Sequence, residues 1–365
     1  MRILITGSNS FIGKNLYETL MRSNEHELAI LDSLEDFNSD YNNFDIIYHL
    51  YTEYRSDNQD SFMRINVGLT KSVMDYYCSP STKFVLLSSV QAGNGSYYGD
   101  SKLLAEKEVK KYAEKNGNTY AILRLANEFG KWCKPNYNSV VATFCYKIAR
   151  KEPIMIEDPE KLLHLEYIDD IIAKLIELGH NDESGIVTGE KIHDLTVGDL
   201  ADVINSFQYD RERGNVPEIQ DVLQKELYST YLTYLPKNQF GVELNMHMDD
   251  RGMFTEMLHF DGKGQVSINV SKPGITKGNH WHDTKTEKFI VVSGEALISF
   301  RKVGTDEVIT YKVSGDNIQS IDIPPGYTHS ITNIGQTDLI TVMWANEIFN
   351  PEKPDTYYME VMNNE

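Results

Sequence analysis

Apolar and polar positions keep two different rhythms along this chain. In the first part, apolar runs of strand length alternate with stretches at helical spacing. Residues 2–6 form an apolar run that ends in a glycine turn, and residues 11–21 repeat with helical period. Strand-like runs follow at 27–31, 45–50 and 83–88, each set off by a polar or helical segment. Helical patterns at 103–116 and 140–150 flank one more strand at 120–124. This βαβ alternation predicts a doubly wound parallel sheet. From about residue 244 the texture changes. Short alternating runs stand at 265–270, 287–292, 296–301, 308–313, 319–323 and 339–343, with turns such as Ser293-Gly294 between them. Regular short strands without intervening helices predict a β-sandwich or small barrel. Pro236, Asn238 and Gly241 mark the join at 236–246.

Composition narrows the classes. A chain of 365 residues is long enough for two domains with separate cores. Hydrophobic residues at 41% and charged residues at 24% are those of a soluble globular protein. The net charge of −19 argues against a nucleic-acid ligand, because phosphate binding needs a basic face. It also requires an anionic substrate to meet locally placed Lys and Arg. The three cysteines, Cys78, Cys133 and Cys145, make no disulfide framework and fit a reducing cytoplasm. The N-terminal segment reads as a strand and turn rather than a signal peptide, and the longest apolar runs fall short of a membrane span. The expectation is a cytoplasmic protein with no membrane insertion.

The first chemical signal lies between the first strand and the first helix. Gly7, Ser10 and Gly13 keep the spacing G-x-x-G-x-x-G with serine at its centre. Glycines there let the backbone approach a pyrophosphate, which the helix N-terminus stabilises. Ser10 is able to cap the helix and also to crowd the phosphate. Asp32 ends the second strand, where an acid binds ribose hydroxyls and favours NAD over NADP; a plain polar strand end reads the same way. Ser88-Ser89 closes a strongly apolar strand, and Tyr98 and Lys102, four apart, share a helix face. An ammonium beside a phenol lowers its pKa, which lets tyrosine exchange a proton near neutrality. The Ser89 hydroxyl is suited to hold the same carbonyl oxygen.

These residues resemble the extended short-chain dehydrogenase/reductase family, whose Ser and Tyr-x-x-x-Lys set matches Ser89, Tyr98 and Lys102. Asn66, Leu123-Arg124 before Asn127, and Tyr167-Ile-Asp169-Asp170 agree with it. The resemblance implies catalytic roles for Ser89, Tyr98 and Lys102. It implies a nicotinamide cofactor held by Gly7, Ser10, Phe11, Ile12, Gly13, Asp32, Leu50, Tyr98 and Lys102, with substrate contact at Asn127. Tyr51 and Thr52 depart from it, standing where the family usually has small residues.

The second signal is G-x5-H-x-H-x4-E-x6-G, matched by Gly274, His280, His282, Glu287 and Gly294 without a gap. Pro324, Gly326, His329 and Asn333 follow about forty residues on. Three imidazoles and a carboxylate suit Zn2+, Fe2+ or Mn2+; the alternative is a polar cleft without metal. The two stretches resemble the signatures of the cupin family, except that Ile318 stands where a glycine is expected. The resemblance implies a cupin β-barrel whose metal ligands are His280, His282, Glu287 and His329, with Zn2+ the leading candidate. Residues 246–256 resemble dTDP-4-keto-6-deoxysugar 3,5-epimerases, which implies a nucleotide-sugar contact at Arg251; a charged surface turn is the alternative. In those relatives a histidine at the position of His280 is the base, whereas here the metal pattern claims it.

Both halves together resemble the CapF-type bifunctional enzymes of bacterial capsular polysaccharide synthesis, most densely at 130–139, 227–232 and 271–282. That likeness implies a reductase domain over 1–243, with a cofactor part at 1–125 and a substrate part at 126–243, and a cupin domain over 244–365. It implies C3 epimerisation of a UDP-linked 4-keto-6-deoxy-N-acetylhexosamine and reduction at C4 by NADPH, with NADH the alternative that Asp32 favours. The product would be UDP-2-acetamido-2,6-dideoxy-L-talose, a precursor of UDP-N-acetyl-L-fucosamine. It also implies a homodimer formed through the cupin domains. Two other readings remain open: a cupin epimerase with a degenerate, structural Rossmann domain, and a non-catalytic nucleotide-sugar sensor.

Overall fold

The computed structural model describes residues 1–33 and 43–362; residues 34–42 and 363–365 lie outside the described residues. The chain divides into two compact units, Met1–Asn205 with Asp221–Pro236, and Ser206–Gln220 with Lys237–Glu365.

The first unit contains β1 (Arg2–Thr6), β2 (Glu27–Leu31), β3 (Ile46–His49), β4 (Lys83–Ser89), β5 (Tyr120–Leu125), β6 (Asn127–Phe129), β7 (Leu162–Tyr167), β8 (Gly185–Thr188) and β9 (Ile192–Thr196). Six of them form a parallel sheet in the order β2-β1-β3-β4-β5-β8, and β6, β7 and β9 make a small second sheet. The helices are α1 (Phe11–Ser23), α2 (Gln59–Phe62), α3 (Thr70–Tyr77), α4 (Tyr97–Asn116), α5 (Val140–Ile148) and α6 (Ile168–His180). α7 (Val197–Glu212) and α8 (Val222–Thr233) follow, the former ending in the segment that clusters with the second unit. Strand periodicity explains the double winding. Ile3, Ile5, Val85 and Leu87 point to one face and pack with α1 and α6. Leu4, Phe84 and Leu86 point to the other and pack with α3 and α4. Both faces are thereby buried, which is why β4 is apolar throughout its middle rather than alternating. β1 has β2 on one side and β3 on the other, so the crossovers diverge there and open a crevice at the carboxyl ends of β1 and β3.

The second unit contains β10 (Met246–Asp249), β11 (Gly252–Phe260), β12 (Gly264–Ser271), β13 (Thr276–Trp281), β14 (Glu287–Ser293), β15 (Glu295–Lys302), β16 (Val308–Ser314), β17 (Ser320–Ile323), β18 (Tyr327–Asn333), β19 (Leu339–Ala345) and β20 (Tyr357–Tyr358). They form two antiparallel sheets, β10-β11-β12-β19-β14-β17 and β16-β15-β18-β13-β20. Phe289, Val291 and Leu339 from the first meet Ile298, Phe300 and Ile331 from the second in one core.

The parallel α/β part and the all-β part are those the sequence pattern predicts. Several elements were not in that pattern. α4 starts at Tyr97, one residue before Tyr98, and the Ser96 side chain caps it through Gly99 N. β10, β11, β13 and β18 carry Asp, His, Gly and Thr at many positions, so apolar alternation does not mark them. Segment Ser206–Gln220 clusters with the β-unit, and Val216 N donates to His259 O at 2.8 Å; nothing in its sequence separates it from the preceding α/β part.

Candidate functional site

The first site is the crevice of the α/β unit. Gly7 has φ +74°, and a Cβ there would sit 2.9 Å from the Tyr51 backbone. A Cβ on Gly13 would sit 2.0 Å from Gly7 O, so turn and helix approach only through glycine. Ser10 is tucked into the turn: its hydroxyl donates to Gly7 O at 2.7 Å and accepts from Gly13 N at 3.1 Å. It caps α1 with those bonds instead of projecting outward. Ile12 and Leu50 point into the core, and Phe11 packs on its edge. The backbone is what those positions present. Asp32 accepts from Ser8 N, Ser8 Oγ and Asn9 Nδ2, each at 2.6 Å, so its carboxylate braces the turn. The glycine cradle at the N-terminus of α1 fits a dinucleotide.

Ser89 ends β4, beside the Tyr98 phenol. Burial, and then the Glu128 carboxylate, push that phenol up, and the Ser89 hydroxyl offsets only part. The expected lowering by Lys102 is not seen in this state, since its ammonium is spent elsewhere. Lys102 Nζ donates to Leu87 O at 2.7 Å and Thr52 Oγ1 at 3.0 Å. Burial brings Lys102 down to about 8, against the pull of Glu106 and Glu128. Thr52, a departure from the family pattern, thus serves Lys102. Asn66 sits in a π-helical stretch, Met63–Leu69, donates to Ser101 Oγ and accepts from Glu53 N, tying α4 to the loop after β3. Asn127 is exposed and donates to His164 O at 3.3 Å. Its neighbour Glu128 is the residue electrostatically coupled to Tyr98 and Lys102. Burial raises the Glu128 carboxyl to about 7. Only its place beside Asn127 could have flagged it in the sequence.

The second site is a cluster in the β-unit. His280 is on β13 and His329 on β18, with Glu287 opening β14 in the other sheet. One donor atom from each of His280, His282, Glu287 and His329 lies within 4.8 Å of the others. A bulge sets this geometry. The β13–β18 register shifts between Gly278 and His280, with Gly278 at φ +102° and Asn279 at φ +58°. His280 then stands directly opposite His329, their ring centroids 4.6 Å apart. His282 Nε2 and both ring nitrogens of His329 are buried without a hydrogen-bond partner, and Glu287 lies 3.4 Å from both Nε2 atoms.

The donor set fits a divalent cation. Orphaned imidazole nitrogens around a carboxylate are costly unless a ligand satisfies them. His282 Nδ1 meets Asp355 O at 2.6 Å; a carbonyl only accepts, so Nδ1 carries the proton and Nε2 keeps its lone pair. Burial, then the His329 and His282 rings, bring His280 down to about 4, so it is neutral at pH 7. Burial would raise Glu287, but the His282 and His329 imidazoles and the Lys285 ammonium hold its carboxyl well below the usual range. The Asp355 carboxylate accepts from the amides of Asp283, Thr284 and Lys285, fixing the loop after His282. Nothing local in the sequence points to Asp355.

A cavity of about 350 Å³ opens over this cluster. His280 and Glu287 face it together with Arg251, Lys277 and Asn269. Arg251 lies in the β10–β11 turn, where Asp249 takes its Nε at 3.0 Å and its Nη2 at 2.6 Å, so the charged turn and the cavity contact coexist. Lys277 donates to Asn269 Oδ1 at 2.7 Å and Val270 O at 3.2 Å, and burial lowers its pKa. Asn333 lies away from the donors and ties loops through Ser271 O and Thr337 O. No helix among the described residues is long and apolar enough to cross a membrane.

Known proteins resemble both units. Residues 3–187 match the NAD dependent epimerase/dehydratase family, and residues 247–357 match the polysaccharide biosynthesis C-terminal domain. The UDP-2-acetamido-2,6-beta-L-arabino-hexul-4-ose reductase of Pseudomonas aeruginosa is 36% identical over 368 residues, 99% of each chain. The crystal structure of the capsular polysaccharide assembling protein CapF from Staphylococcus aureus is 44% identical with a TM-score of 0.90, covering 99% of this chain and 100% of that one. The spore coat polysaccharide biosynthesis protein SpsL of Bacillus subtilis is 29% identical over 123 residues, 31% of this chain and 82% of its own.

Proposed function

This chain belongs to the NAD dependent epimerase/dehydratase family in its CapF-type two-domain form, and from that premise we propose that it performs two consecutive reactions on one nucleotide-sugar. The coarse conclusion is an enzyme of nucleotide-sugar chemistry that uses a nicotinamide cofactor. The finer reading is that the cupin unit epimerises C3 of a UDP-4-keto-6-deoxy-N-acetylhexosamine. The reductase unit then reduces C4 to UDP-2-acetamido-2,6-dideoxy-L-talose, on the way to UDP-N-acetyl-L-fucosamine and capsular polysaccharide. We take NADPH as reductant and Zn2+ as the cation of the cluster. The working form is a cytoplasmic homodimer joined through the cupin units.

The chemistry follows from the residues. The C3 proton lies beside a ketone, so its removal leaves an enolate on the sugar. A divalent cation, which His280, His282, Glu287 and His329 would hold, would supply a Lewis acid for that charge. Arg251 and Lys277 add fixed positive charge to the same cavity and orient the anionic substrate. In the reductase unit a nicotinamide cofactor held at the glycine turn would supply hydride to C4. Ser89 holds the C4 oxygen, and Tyr98, whose phenol stays protonated at neutral pH, gives it the proton. Lys102, four residues on along α4, favours the phenolate left behind. Reduction draws the reversible epimerisation forward.

The observation that carries this reading is that one chain holds both Ser89 beside the Tyr98 phenol, with Lys102 on the same helix, and the three-imidazole cluster. The test is incubation with the UDP-4-keto sugar and NADPH or NADH, following nicotinamide absorbance and the product by NMR. Turnover to a C4 alcohol with inverted C3 is the expected result. Reduction without inversion at C3 would remove the epimerase half.

A further inference from the structure

Two acids near the reductase centre, Glu128 on β6 and Glu166 on β7, form no ion pair among the described residues. β6 and β7 run parallel, and Glu128 stands directly opposite Glu166 in their register. Registered partners on neighbouring strands lie about 4.8 Å apart and point to one face of the sheet. Glu128 is half-buried, and Glu166 is 3% exposed. Strand pairing also fixes where they stand. Ser89 pairs with Leu125 at the end of β5, and the amide of the next residue, Ala126, donates to Glu166 Oε1 at 2.6 Å. Both acids are thereby brought to the carboxyl end of β4, which Ser89 closes. Glu128 interacts electrostatically with Tyr98, Lys102 and Glu166, and also with Tyr54 and Cys133.

Glu166 also lines a cavity of about 150 Å³, together with Asp170, Lys174, Glu177, Glu190 and Lys191. Lys174 pairs with Glu177 and Glu190, and Lys191 pairs with Asp170, so Glu166 is the acid of this lining that no ammonium neutralises. The side chains of Glu177, Glu190 and Lys191 are more than half exposed, which puts the rim in water. A Cβ on Gly189 would sit 1.7 Å from Glu166 Oε2, so glycine is what admits the carboxyl to the cavity wall.

Two carboxyls this close and out of water do not both ionise, and the pair retains a proton. Reduction of a ketone uses one: each turnover leaves Tyr98 as a phenolate, and solvent has to restore its proton. We propose that Glu128 and Glu166 form a proton path from this cavity to Tyr98. The phenolate takes the Glu128 proton, the Glu128 carboxylate takes that of Glu166, and Glu166 takes one from water. Each transfer breaks one O–H bond and forms another, and one solvent proton enters for each hydride delivered. The path rests on the reading that the unit reduces a ketone, and both acids act through the phenol. Burial holds both carboxyls above the ordinary value, Glu128 at about 7. The path is therefore loaded below about pH 7 and empties as pH rises through it.

Steady-state reduction of the UDP-4-keto sugar in dilute buffer tests this on the full chain. Glu128→Gln and Glu166→Gln should each lower kcat at pH 7 by about tenfold or more and leave KM for sugar and cofactor unchanged. The fall of kcat near pH 7 in the unaltered protein should be absent from both. Added imidazole should restore the rate in proportion to its concentration, because a small acid replaces the missing carrier; a packing defect would not respond. Glu114→Gln, on the exposed side of α4, removes the same charge and leaves kcat unchanged. Infrared spectra of the substrate-free protein at pH 7 should show a protonated-carboxyl band that both glutamine variants weaken. Unchanged kcat in both variants overturns the path, as does a loss that imidazole leaves in place, or an unaltered protein without the band. Those three outcomes leave the reductase reading standing. An unaltered protein that oxidises neither NADPH nor NADH removes that reading and the path with it.

Discussion

Two glutamates, half-buried Glu128 and buried Glu287, one in each unit, are tuned in opposite directions. Glu128 lies near Tyr98 and Lys102, and burial carries its carboxyl up to about 7. Lys102 pulls the other way, but its ammonium is committed to Leu87 O and Thr52. Glu287 is also buried, yet two imidazoles at 3.4 Å and the Lys285 ammonium hold it well below the usual range. The difference follows from the nearest neighbours. The α/β crevice surrounds its acid with aromatic rings and spent donors, which suits a site that passes protons. The β-cluster surrounds its acid with imidazoles and one ammonium that favour its charged form, which suits a site that keeps a permanent anion for a ligand.

The largest expected effect separates the two chemistries. Tyr98→Phe should slow NADPH oxidation by about a hundredfold to ten-thousandfold, since a positioned proton donor is lost. C3 exchange with D2O should continue, and the NMR signal of the C3 proton measures it. Loss of exchange in a folded Tyr98→Phe protein would mean that the units do not divide the work. Next in size, His329→Ala removes a fully buried donor of the cluster. Metal content by elemental analysis should fall, with apparent affinity lower by about a hundredfold, while NADPH binding followed by fluorescence is kept.

Asp355→Ala probes the support rather than the ligands. It releases the loop 283–285 and loosens the carbonyl that fixes the His282 tautomer, so metal affinity should drop by about tenfold. An unchanged affinity would leave Asp355 a loop anchor alone. The smallest effect concerns Glu128. Its folded pKa lies above the ordinary value, so the folded protein keeps a proton that the unfolded chain gives up. That contribution is fully present below about pH 4.5 and fades as pH rises to about 7. Glu128→Gln should therefore flatten the melting temperature across this window and raise it at pH 8 by about 2–4 °C. A pH-independent difference between the two proteins would place the effect in packing instead.

Much of both units could be read in the sequence. Short apolar runs and glycine turns marked β1 to β5, because a strand buried on both faces has to be apolar at nearly every position. The four donors of the cluster were also legible, since His280, His282 and Glu287 lie within eight residues of one another. The strands that carry them were harder to see, as β13 and β18 point polar side chains inward where a core strand points apolar ones. Ser10 shows the limit of motif reading. Whether its hydroxyl crowds a phosphate or caps a helix depends on a rotamer, and the bonds to Gly7 O and Gly13 N settle it.

The sequence by itself determined the two architectures, the order of the two candidate sites along the chain and the residue types gathered in each, because periodicity and short spacings are local properties. Tertiary structure alone decided which lone pair of His282 is free, where the Lys102 ammonium is spent, and that Glu166 takes the Ala126 amide. Those facts join positions 73, 50, 15 and 40 residues apart. Chain folding sets such distances, and electrostatics and hydrogen bonding act on distance in space rather than along the sequence.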